Sequence, residues 1–235
     1  MDIQPITDSE VLRQLGERRF LSAERVVSEW NRLIKEKRNQ HSITPVEIPE
    51  DLQIPYTADT LNEFSRDTGW YLIYDPGFSL IDNRLITGTD PAHPPCHRED
   101  NDWWLAEREQ SWASKTESPG YYLVKMEGIL ALDNAAKDWD WQDEQIKQMG
   151  TKLRRASTRV VVNAMVSCYL LNGEKHLDKY SFFGPEVDAD WCLLVTGWDQ
   201  HGINLGHWLQ NDWGGYWGAD LRVCLSCKYD INCSG

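Results

Sequence analysis

Three prolines, Pro45, Pro49 and Pro55, punctuate the stretch from His41 to Asp59. Each proline removes a backbone donor and pushes the residue before it toward extended geometry, so no helix can run through this stretch. The prolines divide the chain into two materials. Before them the apolar residues keep a helical period, and after them short apolar runs are bounded by Gly, Pro or Asp. That succession excludes regular βαβ alternation and predicts an α+β fold with short strands and long loops.

From Thr7 to about Gln40, Thr7 with Glu10 has the form of a capping box, and Val11, Leu12 and Leu15 start an apolar stripe. Gly16 interrupts it. Phe20, Val26, Val27, Trp30, Leu33 and Ile34 then recur at three- and four-residue steps, which predicts two helices or one bent one. This segment, residues 1–40, could pack on the main domain or self-associate with a second copy. Residues 41–59 read as a Pro-rich linker and 60–235 as the main domain. Within it Gly69-Trp70-Tyr71-Leu72-Ile73-Tyr74 and its near copy Gly120-Tyr121-Tyr122-Leu123-Val124-Lys125 read as strands. Residues 90–118 read as a long irregular insertion, and 133–149 end in polar, helix-like sequence. Arg154 to Leu171 is the best helix, with Val160, Val161, Ala164, Met165, Cys168 and Tyr169 as its buried side and Gly173 as a C-cap. Residues 180–183, 191–196 and 221–225 are further strand candidates.

The net charge of −13 argues against nucleic acid as partner, because binding to phosphate draws on Lys and Arg. No apolar run approaches the length of a membrane span, and the N-terminus lacks the pattern of a secretory signal. The expected location is cytoplasmic or virion-associated, with no membrane partner. Cys168 and Cys192 read as small core hydrophobes. Cys224 and Cys227, with Cys233 nearby, lack the second ligand pair that a zinc knuckle needs, since Cys96 and His97 are adjacent. Glu186, Asp188 and Asp190, and the group Asp133, Asp138, Asp140, Asp143 and Glu144, read as solvated acids. No phosphate loop, dinucleotide fingerprint or nucleophile elbow is present. The expectation is therefore no cofactor, no metal and no catalytic residue.

Of the twelve tryptophans, four fall between Trp198 and Trp217, among Gly, Asn, Asp and His. This mixture is the vocabulary of a recognition surface more than of a buried strand. Trp30, Trp70 and Trp191 are assigned to the core instead.

Tyr180-Ser181-Phe182-Phe183-Gly184, Ala189-Asp190-Trp191-Cys192-Leu193-Leu194-Val195, the Trp/Gly/Asn-rich span and Leu221-Arg222-Val223-Cys224-Leu225-Ser226 carry a resemblance. In this order they resemble the ending of the C-type lectin-like (formylglycine-generating-enzyme-like) domain in variable proteins of diversity-generating retroelements. Gly120-Tyr121-Tyr122-Leu123 and the helix beginning Arg154-Arg155-Ala156-Ser157-Thr158 are similar to earlier parts of such proteins. The resemblance implies a C-type lectin-like domain and a non-enzymatic binding protein for a protein or other macromolecular ligand. Its hypervariable surface, at about 198–220, would be rewritten by an error-prone reverse transcriptase acting at adenines. Carried over by position, the variable face is Asp199, His201, Asn204, His207, Leu209, Asn211, Asp212 and Tyr216, extending to Gly206 and Gly215. Trp198, Trp208, Trp213 and Trp217 form a fixed aromatic frame, because a Trp codon contains no adenine. Arg222 is then a scaffold residue. Two other classes compete: an oxidase of the formylglycine-generating type on the same fold, and an acidic viral inhibitor of a host protein.

Overall fold

The computed structural model describes residues 6–37, 43–127, 139–177, 180–187, 193–208, 220–222 and 225–227. Among them the chain is mixed α/β, with seven α-helices and two small sheets.

The first helix, α1 (Asp8–Leu15), starts at the expected capping box, with Thr7 and Glu10 each serving the other's backbone. It stops at Gly16, whose φ of 74° is a conformation glycine adopts without a side-chain penalty. The chain then departs from the helical reading. Phe20 and Leu21 form a two-residue strand, β1 (Phe20–Leu21), pairing in parallel with Leu72 and Ile73 of β2 (Trp70–Asp75). Helix α2 (Ala23–Lys37) follows, its first amide bound to the Tyr121 hydroxyl at 3.0 Å. Val11, Leu15, Phe20, Val26, Trp30 and Ile34 are all buried in the one core that runs on to Cys227. The apolar stripe of this N-terminal segment is thus covered by the chain itself except at Leu12, which is exposed.

The Pro-rich stretch from residue 43 to Tyr56 forms no helix, as its prolines require; it turns at Glu50 and Asp51, and it is tied down. The Asn31 side chain accepts from Val46 N at 2.8 Å and donates to Val46 O at 2.9 Å. Ile54 and Tyr56 are buried. The Tyr56 hydroxyl accepts from Leu123 N at 2.9 Å and donates to Cys227 O at 3.2 Å, stitching two strands from outside the sheet. Helix α3 (Ala58–Ser65) then leads into β2.

The two near-copies noted in the sequence are partners. β2 pairs antiparallel with β3 (Gly120–Lys125), from Trp70 opposite Lys125 to Asp75 opposite Gly120. Beyond β3 lie β9 (Leu225–Cys227) and β4 (Leu153–Arg155), giving the order β1-β2-β3-β9-β4. The second sheet has the order β7-β6-β5-β8, from β5 (Tyr180–Val187), β6 (Leu193–Asp199), β7 (Gly202–Trp208) and β8 (Asp220–Arg222). β5 and β6 change register between Phe183 and Val187, across Gly184-Pro185, where a proline cannot supply a ladder donor.

Helix α7 (Thr158–Asn172) is the centre of the molecule. Its Ser157 N-cap accepts from Val160 N and its Gly173 C-cap is left-handed at φ 70°, ψ 16°. Every residue from Thr158 to Cys168 is buried, so the helix has no solvent face over that length. The expected apolar side is extended by Val162 and Val166 on the opposite face. The helix packs against β2, β5, β6, α2 and α4 (Leu80–Thr87). Trp30 Nε1 donates to Ser167 Oγ at 3.0 Å, so a tryptophan of the N-terminal segment reaches the central helix. Residues 90–118 form two short 3₁₀ turns and α5 (Gln110–Ala113), and α6 (Trp139–Met149) precedes β4. No helix among the described residues is long and apolar enough to cross a membrane.

Candidate functional site

The tip of the β6–β7 hairpin is the part of the proposed variable stretch with the fullest geometry. Asp199 pairs with Gly202, and the Asp199 carboxylate accepts from His201 N at 2.7 Å, closing a tight Asx turn over Gln200 and His201. Gly202 has φ 125°, and a Cβ there would lie 2.6 Å from the Cys96 carbonyl oxygen, so only glycine fits. That close approach lets Ile203 N donate to Cys96 O at 2.8 Å and Arg98 N donate to Ile203 O at 3.0 Å. Residues 96–98 therefore lie along the outer edge of β7.

Side chains complete the cover. The Asn101 amide behaves like a peptide group of a further strand, donating to Leu205 O at 2.8 Å and accepting from Leu205 N at 2.9 Å. Trp103 Nε1 also donates to Leu205 O, at 2.8 Å. From the other side, Arg84 on α4 donates to the carbonyls of Arg98, Asn101 and Glu99 at 2.8, 3.0 and 3.2 Å, holding the bend of the loop while its guanidinium lies over the Trp104 ring. At Ile203 and Leu205 the outward backbone groups that another chain would need are already taken.

Arg98 joins loop to hairpin. Its guanidinium binds Asp100 through two nitrogens at 2.9 and 2.7 Å and reaches Asp199 at 3.0 Å. Hydrogen bonding to Asp100 above all, and then the Asp199 charge, raises its pKa further, while the same bond lowers that of Asp100. The loop and the turn enclose a cleft of about 380 Å³ lined by Thr89, Pro91, Arg98, Glu99, Asp100 and His201. His93 and Asp90 pair at 2.7 Å on the exposed loop nearby. The sulfur beside the cleft, on Cys96, is buried and donates to His201 O at 3.8 Å. Burial pushes that thiol up, away from the thiolate a nucleophile needs.

Comparison with known proteins finds no family model, no curated protein and no solved structure that matches this chain. The site has to be read from its own residues.

Of the candidate residues, Asp199, His201 and Asn204 come together at the tip, with His201 exposed and the other two partly so. His207 and Trp208 lie farther along β7, paired with Leu194 and Leu193. Leu209, Asn211, Asp212, Trp213, Gly215, Tyr216 and Trp217 lie outside the described residues, as do Trp191, Cys192, Cys224 and Cys233. Two readings change. Residues 202–208 are a strand, with Ile203 and Leu205 fully buried, although their Gly and Asn content points to an irregular surface. Trp198 is only 3% exposed and stacks on Tyr169 at 5.3 Å with Lys175 above the ring, so it supports the tip from below. Among the acids set aside, Asp143 pairs with Arg155 at 2.8 Å and Glu144 with Lys147 at 3.6 Å. Cys168 is free and buried, and Cys227 is buried. Among the described residues no three His, Cys, Asp or Glu side chains gather as a metal site would require.

Sequence reasoning missed Arg84, His97, Arg98 and Asn101. Arg98 and Asn101 meet their hairpin partners across separations of 101 and 104 residues, which no local pattern reports.

Proposed function

We propose that this chain is a non-enzymatic binding protein whose recognition surface is the end of the molecule where the β6–β7 turn meets the loop from residue 89 to 101. The observation that carries the reading is the division of labour at that end. Arg84, Arg98, Asn101 and Gly202 fix the backbone, while the side chains of His201 and Asn204 stand on it without being needed to hold it. A surface preorganised in this way loses little freedom on binding, and its polar residues can be exchanged without unfolding what lies beneath.

The finer part of the proposal is a C-type lectin-like domain diversified by a retroelement. What supports it is that residues 180–184, 193–195 and 221–222, parts of the segments carrying the resemblance, lie on neighbouring strands of one sheet whose hairpin tip bears Asp199, His201 and Asn204, while Leu225 and Ser226 of the last segment join the other sheet. The ligand class is a protein or other macromolecule, and the net charge of −13 disfavours nucleic acid.

A library randomised at 201 and 204, with Asp199 kept because it closes the turn and holds Arg98, displayed and selected against one folded protein such as lysozyme, tests the binding reading. Most members should stay folded and binders should emerge. A library that is largely unfolded, or folded but barren, would sink it. The retroelement reading stands on the DNA: a near-identical repeat of codons 198–222, differing opposite adenines and lying beside a reverse transcriptase gene, is expected.

A further inference from the structure

The loop that covers β7 is anchored inward by one side chain. His97 is fully buried, its ring 5.7 Å from that of Trp104, and its backbone N donates to Gly88 O at 2.8 Å. Its Nε2 lies 3.0 Å from Asn83 Oδ1. The Asn83 amide donates to Asn163 Oδ1 at 2.7 Å, and the Asn163 amide donates to Asp75 Oδ1 at 2.9 Å and to Phe78 O at 3.0 Å. Asp75 ends the series. Its carboxylate also accepts from Gly77 N at 2.8 Å and faces Arg159 at 2.9 Å, which in turn meets Glu117 at 3.0 Å.

The direction of this relay follows from its end. Phe78 O can only accept and Asp75 Oδ1 already accepts from Gly77 N, so Asn163 must turn its NH₂ toward them and its oxygen toward Asn83. Asn83 must then turn its own oxygen toward His97, whose Nε2 carries the hydrogen. Nδ1 is left as a bare acceptor with no hydrogen-bond partner among the described residues. A buried ring in that state is neutral and admits one orientation.

We infer that His97 is the positioning residue of the recognition tip: the buried relay His97–Asn83–Asn163–Asp75 sets where residues 96–98 meet β7. The link to the tip is direct. His97 forms the bridge to Ile203, and its two chain neighbours make the bonds to Ile203, Cys96 through its carbonyl and Arg98 through its amide. A turn of the ring displaces both bonds, and with them the Arg98 guanidinium that holds Asp199. The relay differs in kind from the surface clamps, because it ties the tip to α7 and β2 rather than to its own loop.

This inference rests on reading the tip as the recognition face, but its test needs no ligand, so the two can fail separately. Amide exchange measured by two-dimensional NMR on the full chain compares Arg98 and Ile203 with Leu72 and Leu123 in the first sheet. His97→Phe keeps the ring and loses the donor; exchange at Arg98 and Ile203 should accelerate at least tenfold while Leu72 and Leu123 stay within twofold. His97→Gln restores a donor and should return exchange to within about threefold of the parent protein. Equal acceleration in both regions, no acceleration at the tip, or a glutamine variant as open as the phenylalanine one would each overturn the assignment. Should H97F not fold, the parent protein decides: long-range proton–nitrogen correlation must show His97 as the neutral Nε2–H tautomer at pH 7, and an Nδ1–H or charged ring refutes the relay.

Discussion

Arg159 and Asp75 are almost without solvent contact, with side chains 6% and 3% exposed, and each is tolerable only because the other is there. Burial pushes the Asp75 carboxyl up, and the Arg159 charge, the Gly77 N–H and the Asn163 amide pull it back. Arg159→Met leaves a buried carboxylate without its cation and should cost about 3–5 kcal/mol in urea unfolding, and adding Asp75→Asn should recover a large part of that loss. Gly202, like Gly77, is a residue with no substitute. Alanine there meets both an unfavourable φ and the Cys96 carbonyl, so Gly202→Ala should lose about 2 kcal/mol or more. It should also free the Ile203 amide for exchange while β2 stays protected. The proline, tryptophan and glycine residues stand out in the sequence, but only space around them says which are irreplaceable.

Elements divide by how local their causes are. Thr7 with Glu10 announces α1, and Gly173 the end of α7, from within a few residues, and both signals hold; the expected start of the second helix at Arg154 does not, because Leu153–Arg155 pair as β4 and α7 begins only at Thr158, after the Ser157 cap. The strands of the Gly69 and Gly120 copies were equally plain, although their pairing with one another was not. β1 was hidden because two residues carry no period, and Phe20 falls on the helical stripe by coincidence of spacing. β7 was hidden because Gly202, Asn204 and Gly206 dilute its apolar alternation, while its buried face depends on a loop a hundred positions earlier. The Pro-rich stretch was legible as free of helix but not as a strap, since Tyr56 acts through contacts across separations of 67 and 171 residues. Tyr56→Phe leaves Leu123 N and Cys227 O short of a partner and should cost about 1–3 kcal/mol, with exchange faster at Leu123 than at Leu72.

For the molecule as a whole, the candidate site was half visible. Asp199, His201 and Asn204 could be pointed out by their setting among Trp and Gly, whereas the loop that holds them was only an irregular insertion. His97 links this site to global stability. Burial first, and Arg84 second, push its pKa down to about 3, while an unfolded chain titrates near 6.5. The unfolded state therefore takes up a proton that the folded state refuses. The contribution is neutral above about pH 6.5, and stability falls as pH drops from there toward 3, by up to about 1.4 kcal/mol per unit. Urea unfolding at pH 5 should show about 2 kcal/mol less stability than at pH 7 from this group. In His97→Gln that part of the slope should disappear.

The order of the first sheet also bears on how the protein is made. Among the described residues β4 joins that sheet only through β9, and β3 meets β4 only across it. On a ribosome β4 emerges long before its neighbour exists, and must wait beside a gap. Until residues 225–227 arrive, β2 and β3 form a hairpin with one open flank, and Tyr56 can hold Leu123 but not Cys227. Completion of the sheet thus comes only after β1 to β8 have all emerged. A translation product cut short before β9 would be recognised by quality control as a half-built sheet with an exposed edge.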